Sequence, residues 1–371
     1  MKAFGLRSHR PGGFPLARVA IAAFIDMAGE GAARGGCRYD SPVMKDRATR
    51  MTRRPPWSAG GRAGRIGPPT GSASWRDLDP DELAPVVLVA PGFLTMPGWY
   101  DDLAASLRGR GAADVLVAPV YMPDWVLAAV RGLGPITTRV ARALLAAGER
   151  SVASTASRGA PVLLVGHSAG GLIGRLLTSP DPFEGRTLNA AGRIGALVTL
   201  GTPNAAPPFG SDRARWARRV GEAGARFAER HVPGAAFAPT TGYVSVASQL
   251  VVGRRTPTAG PETATARETV GGRDGFVRRI YEDVYPQPDL EAVAGDGLIP
   301  VAAALLPGSR QLILADATHG PARRATWYGS ATSLDAWWPV ALDAWREALR
   351  VRQRGDGPAG ERPRISPRAA R

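Results

Sequence analysis

Cysteine is nearly absent from this sequence. Cys37 is the only one in 371 residues, which excludes an intrachain disulfide and any cysteine-built metal centre. Lysine is almost as scarce: Lys2 and Lys45 are the only two, and the other basic residues are arginine. Histidine occurs four times, at positions 9, 167, 231 and 319. No apolar run approaches the ~20 residues that a membrane-spanning helix needs. Neither Asn189 nor Asn204 lies in a glycosylation sequon.

The formal charge of +15 would suggest a nucleic-acid partner if it were spread over a folded surface. It is not spread. Residues 1–76 carry 14 basic and 4 acidic side chains, and residues 351–371 carry 6 and 2, which leaves 27 basic against 26 acidic in between. The chain therefore reads as a neutral globule with basic ends, and no nucleic-acid partner is expected. Residues 1–76, rich in Gly, Arg, Ser and Pro, show no sustained periodicity and are expected to be a disordered leader. Being Arg-rich and acid-poor, this leader fits an organelle transit peptide, the destination being the chloroplast or another organelle, with a cytoplasmic location as the alternative. The short run "VAIAAFI" (19–25), closed by Asp26, is a poorer match to a secretory signal. A second disordered basic tail is expected over 351–371.

Between the ends, strand and helix signals alternate. Short apolar runs stand at 86–90, 115–120, 162–166, 196–201, 243–248 and 311–316. Runs this continuous are expected for strands buried on both faces, hence a mostly parallel sheet with helices on either side, an α/β fold over 77–350. Helical spacing links Trp99, Leu103 and Leu107, and places Trp99 in the core. A helix is expected to start at Pro135, carry Ile136, Val140, Leu144 and Leu145 on one side, and stop near Gly148. Residues 204–240 break the rhythm and are read either as a lid insertion or as ordinary surface helices.

The chemistry centres on "PVLLVGHSAGGLIG" (161–174), where Gly166-His167-Ser168-Ala169-Gly170 joins a strand to a helix. A serine hydroxyl becomes a nucleophile only when a base takes its proton. Gly-x-Ser-x-Gly at a strand-to-helix corner is the nucleophile elbow, which holds such a serine exposed. Ser168 is the expected nucleophile. His167 lies inside the elbow and is expected to point elsewhere, His231 is expected to pack, and His319, just past the last strand, is the expected base. Asp296, between two glycines in "GDGLIP", is the expected acid, ahead of Asp274, Asp283, Asp289 and Asp316. The oxyanion donors are expected to be the amides of Ala169 and Phe93, with Gly92 keeping the latter's loop open. Leu94, Met96, Tyr121 and Trp125 are expected to line an acyl pocket.

The ordered segments "VVLVAPGF", "VGHSAGG", "VTLGTPN", "GDGLIP" and "ATHG" resemble the α/β-hydrolase superfamily, in its lipase/esterase branch. With the closing "WYGS" they are similar to plant and cyanobacterial lipase-like hydrolases. The resemblance covers about residues 84–348. It implies a Ser168–Asp296–His319 triad, Phe93 and Ala169 as oxyanion donors, no metal, no cofactor, a small-molecule or lipid ester as substrate, and transient contact with a membrane surface. Two positions depart from the pattern: Pro91 stands where a His is frequent before the oxyanion glycine, and Asn204 where a His is frequent after Gly-Thr-Pro. The expected activity is cleavage of carboxylic esters of apolar acyl groups. A thioesterase or acyltransferase on the same fold, and a non-catalytic binding protein, are the alternatives.

Overall fold

The computed structural model of the protein describes residues 74–205, 215–254, 273–285, 287, 289–321 and 326–355. Eight strands occur among them: β1 (Val86–Ala90), β2 (Asp114–Val117), β3 (Val162–His167), β4 (Ile194–Leu200), β5 (Gly242–Ser248), β6 (Val251–Arg254), β7 (Ala292–Gly295) and β8 (Arg310–Leu314). Six form a parallel sheet in the order β2-β1-β3-β4-β5-β8, and β6 and β7 form a separate antiparallel ribbon.

The two-residue period of a strand explains why the central strands read as unbroken apolar runs. Val86, Leu88 and Ala90 of β1 enter one core with Leu164 and Leu197, while Val87 and Val89 enter a second core with Val165 and Val198. The first core is closed by α2 (Met122–Arg131), α3 (Gly134–Ala153), α4 (Ala169–Thr178) and α5 (Arg215–His231). The second is closed by α1 (Asp101–Gly109) and α8 (Ala331–Arg354). Helices α6 (Arg273–Val284) and α7 (Val301–Ala304) flank the ribbon, α6 packing through Val277 and Tyr281 against Val293.

Helix α8 supplies three tryptophans, and each indole N–H finds a backbone carbonyl: Trp337 donates to Tyr328 at 2.8 Å, Trp338 to Arg110 at 3.1 Å and Trp345 to Pro161 at 2.7 Å. These bonds let large amphipathic rings be buried without an orphaned donor.

Several expectations shift. β2 ends at Val117, because Pro119 lacks an N–H to continue the ladder. Leu145 is 46 % exposed, since it lies one residue beyond the buried stripe of Ile136, Val140 and Leu144. Helix α3 runs through Gly148 to Ala153; a lone interior glycine weakens a helix without ending it. The folded region begins before residue 77 and extends beyond 350. Trp75 is buried, α8 continues to Arg354, and Gln353 donates to the carbonyls of Trp75 and Leu78. The rest of the leader and tail lies outside the described residues. In the segment read as a lid, Ala225, Ala228 and Val232 belong to the first core, and the backbone of Gly224 rests on Leu133 and Leu172. This part of 204–240 is a packed helix; residues 206–214 lie outside the described residues. No helix of the described residues is long and apolar enough to cross a membrane.

Replacing Trp345 by Ala opens a large cavity over Gly195 and orphans the Pro161 carbonyl. The expected cost is about 3–5 kcal/mol, read as a lower urea midpoint at unchanged m-value.

Candidate active site

β3 turns into α4 at Ser168, whose backbone stands at φ 53°, ψ −126°. A non-glycine residue rarely adopts a positive φ, and here the neighbours hold it. The Ser168 amide donates to Leu200 O at 2.8 Å, and the Gly171 amide donates to Ser168 O at 3.0 Å. The turn is tight enough to exclude side chains on either side. A Cβ on Gly166 would lie 2.3 Å from Gly171 Cα, and one on Gly170 would lie 2.1 Å from Ala90 O. The Gly-x-Ser-x-Gly spacing is thus a clearance requirement.

Two loops from the far side of the sheet meet the serine. β7 leads straight into Asp296, and β8 leads into the loop that carries His319. Asp296 is held by its own turn, with Gly297 at φ 99° and Oδ1 accepting from the amides of Leu298 at 2.9 Å and Ile299 at 2.7 Å. Its Oδ2 accepts from His319 Nδ1–H at 2.8 Å and from the Tyr328 hydroxyl at 2.9 Å. His319 Nε2 lies 2.9 Å from Ser168 Oγ. A carboxylate at Nδ1 fixes the proton there and leaves the Nε2 lone pair to accept from the serine. The His319 amide also donates to Asp296 O at 3.1 Å, so main chain and side chain tie the two residues together.

Asp296 is 2 % exposed. Burial alone pushes its carboxyl pKa up, but the charge and hydrogen bond of His319 and the two turn amides reverse this and hold it below the usual value. Tyr328 is pushed the other way, mainly by burial and then by the adjacent Asp296 charge, so it stays a hydroxyl donor.

Sequence reasoning set His167 aside, yet the structure places it at the centre of the site. It is 1 % exposed. Its Nε2 is 2.6 Å from His319 O and its Nδ1 is 2.8 Å from the Tyr100 hydroxyl. A carbonyl only accepts, so Nε2 carries the proton and Nδ1 accepts from Tyr100. That hydroxyl in turn accepts the Gly92 amide proton at 2.8 Å. Burial first, and the nearby His319 charge second, push the His167 pKa down to about 3, so the ring is neutral. Burial pushes Tyr100 up to about 12. Trp327 packs edge-on against both rings, at 5.6 Å from His167 and 5.9 Å from Tyr100. No local pattern marks Tyr100 or Tyr328; the quoted "WYGS" was the single hint for the latter.

The remaining expected residues divide. Gly92 meets the elbow: a Cβ there would lie 2.8 Å from His167 Nδ1 and 3.0 Å from Ser168 Cβ, which brings the loop bearing Phe93 alongside Ser168. Ala169 is the first residue of α4, where an amide has no acceptor within its own helix. Met96 and Tyr121 are 37 % and 47 % exposed. Leu94 and Trp125 are not open lining residues: they are 7 % and 1 % exposed, and Trp125 packs edge-on against Phe93 at 5.5 Å. Both point into the first core, because their positions belong to the turn and the helix that seal it. Trp99 is 36 % exposed rather than core, since the chain turns there before α1 begins and presents Tyr100 inward instead. His231 pairs with Asp181 at 3.0 Å and stacks on Phe227. Among the rival acids, Asp316 and Asp289 are exposed, and the side chains of Asp274 and Asp283 lie outside the described residues. Asn204 is buried, donating to Ala304 O and accepting Arg175 Nη1 on its carbonyl, so it braces the loop after β4. No cluster of three or more His, Cys, Asp or Glu suited to a metal ion occurs among the described residues.

A parallel sheet with helices on both faces, a serine at a strained elbow and a following Asp and His at the same sheet edge define an α/β-hydrolase fold. No protein-family model and no curated protein matches the sequence. Among solved structures the chain is similar to the mature lipase BlEst2 of Bacillus licheniformis, at 14% identity and TM-score 0.43 over 71% of this chain and 92% of that one. It is also similar to the esterase Est2 of Thermogutta terrifontis, at 12% identity and TM-score 0.36 over 77% and 87%. The thioesterase domain of the curacin biosynthetic pathway matches at 12% and 0.33 over 70% and 90%. Likenesses this loose assign neither substrate nor residue roles.

The depressed pKa of His167 makes stability depend on pH. Below its ordinary value of 6.5 the unfolded chain binds a proton that the fold refuses until about pH 3. Stability is therefore lost as pH falls through that window, by about 1.4 kcal/mol per unit at most. Urea unfolding of wild type and His167→Gln between pH 7 and 4 is expected to show the extra slope in wild type alone.

Proposed function

We propose that the protein is a serine hydrolase that cleaves carboxylic esters with apolar acyl groups. The observation that carries this reading is the continuous Ser168 Oγ–His319 Nε2, His319 Nδ1–Asp296 Oδ2 chain, at 2.9 and 2.8 Å. In this reading His319 takes the serine proton as Oγ adds to the ester carbonyl, and Asp296 stabilises the imidazolium. The amides of Phe93 and Ala169 receive the developing oxyanion, and the positive end of α4 adds to the field there. Collapse of the adduct expels the alcohol with a proton from His319. Water, deprotonated by the same imidazole, then releases the acid. Nothing in these steps calls for a metal or an organic cofactor.

The exposed apolar side chains of Met96, Trp99 and Tyr121, on the loops that follow β1 and β2 at the same edge as Ser168, support an apolar acyl group. Val126, Leu127 and Val130, exposed on α2 directly after Tyr121, support contact with a lipid surface.

A fluorophosphonate probe is expected to label the wild type and not Ser168→Ala; an unlabelled wild type would end the hydrolase reading. Asp296→Asn is expected to keep the fold and lose roughly 10³–10⁴ in kcat, as the base falls into the wrong tautomer. An acyl-length series on oxygen esters and thioesters, dispersed and in vesicles, measures the acyl preference. Turnover confined to thioesters or to short polar acyl groups would overturn the substrate class and leave the mechanism standing.

A further inference from the structure

We propose that Tyr100 and His167 act as a positioning relay that locks the oxyanion loop to the base loop, so that both halves of the catalytic machinery are set by one imidazole. The inference rests on the hydrolase reading and goes beyond it by assigning work to two residues outside the triad.

The donors all run into the same centre. Gly92 N–H donates to the Tyr100 oxygen at 2.8 Å, Tyr100 O–H donates to His167 Nδ1 at 2.8 Å, and His167 Nε2–H donates to His319 O at 2.6 Å. The first bond fixes the residue just before the oxyanion donor Phe93. The last fixes the main chain of the base itself. Between them, His167 is the chain neighbour of the nucleophile. Thr95 adds a second grip on the loop, its hydroxyl donating to Gly92 O at 2.7 Å.

A packing residue would need shape alone. Here both ring nitrogens are engaged, in a place where neither ring sees water: Tyr100 and His167 are 0 % and 1 % exposed. Bonds in such a place have no solvent replacement, and a broken one leaves two buried polar atoms unpaired. Linked bonds of one direction also polarise each other. The titratable groups that face His167 are Tyr100, His319 and Asp296; the first is a protonated phenol, and the Asp296 charge raises the His167 pKa by less than burial and His319 lower it.

The test uses Tyr100→Phe, which removes one oxygen and keeps the ring, and His167→Gln, which keeps an N–H near the His319 carbonyl and moves the acceptor away from the Nδ1 position that meets Tyr100. Each is expected to lower kcat and the rate of fluorophosphonate labelling by about 10- to 100-fold, the range for a small misplacement of reacting groups. KM should stay within about twofold, and affinity for an alkylboronic acid, whose serine adduct carries an oxyanion mimic, should fall with kcat. Both variants cut the same link, so the double variant should be no slower than the slower single; multiplied losses would show independent effects and overturn the relay.

A measurement on the wild type needs no variant to fold. Imidazole nitrogen NMR should find His167 as the Nε2–H tautomer, unchanged from pH 8 to 5. A ring that titrates near its ordinary value, or carries its proton on Nδ1, would overturn the proposal. Normal kcat and boronate affinity in both singles, beside a labelled wild type, sinks the relay alone. A wild type that the probe does not label sinks the hydrolase reading and the relay with it.

Discussion

The backbone of Ser168 holds a conformation that costs energy, and the architecture around it can be traced to keeping it there. A side chain at φ 53° is disfavoured by roughly 1–3 kcal/mol. The strain persists because β3 is pinned between β1 and β4, because the Ser168 amide is tied to Leu200, and because α4 lies close enough to the sheet to leave no alternative path. That closeness needs bare backbone at Gly166 and Gly170, and it brings the start of α4 against the end of β1. The loop after β1 is therefore beside the serine as a consequence of the same clearance. Sheet order does the rest: β5 and β8 lie on the other side of β3, and His319 arrives from that direction at the carboxyl edge.

Two histidines sit with ring centroids 5.2 Å apart, and their surroundings assign them opposite tasks. His319 faces a buried carboxylate that accepts from two amides, an imidazole and a phenol, so its Nδ1 proton is held and Nε2 is left facing the Ser168 hydroxyl. His167 faces a phenol and a carbonyl, both neutral, and its burial outweighs the pull of the His319 carbonyl and the Asp296 charge toward a cation. In the proposed mechanism a charge on His167 would oppose formation of the His319 imidazolium.

The strand pattern and the elbow were legible because each depends on residues close together in sequence. "VVLVA" and "VLLVG" announce burial on two faces, and the glycines around Ser168 announce the turn. Asp296 was readable for a similar reason: its own Asp-Gly turn fixes it. Tyr100, His167 and Tyr328 were not readable, since each makes a decisive side-chain contact with atoms far away in the chain. Tyr100 meets His167 across 67 positions, and Tyr328 meets Asp296 across 32. The misplaced residues share a different cause. Trp99 and Leu145 were put inside by helical spacing, but a shift of one residue rotates a side chain by about 100°, enough to exchange Trp99 for Tyr100. Leu94 and Trp125 were put in a pocket because their loops follow the right strands. Loop position tells which edge a residue belongs to and leaves open whether its side chain faces the substrate or the core.

Gly92 shows how the reason for a residue changes once its partners are known. In sequence it reads as a glycine that keeps a loop open. Its backbone, however, is not among the positive-φ glycines, so conformational freedom is not what the position needs. What it needs is space: the volume a Cβ would fill is already occupied by His167 Nδ1 and Ser168 Cβ. The departure at Pro91 fits the same account, because the hydrogen bond that fixes the loop comes from the amide of Gly92 and asks nothing of the side chain before it. Residues 92 and 167 thus constrain each other. A larger residue at 92 would push the imidazole off Tyr100, and a residue at 167 unable to accept a proton would leave the Tyr100 hydroxyl without its acceptor. The geometry that places the loop after β1 beside Ser168 depends on this pair as much as on the elbow itself.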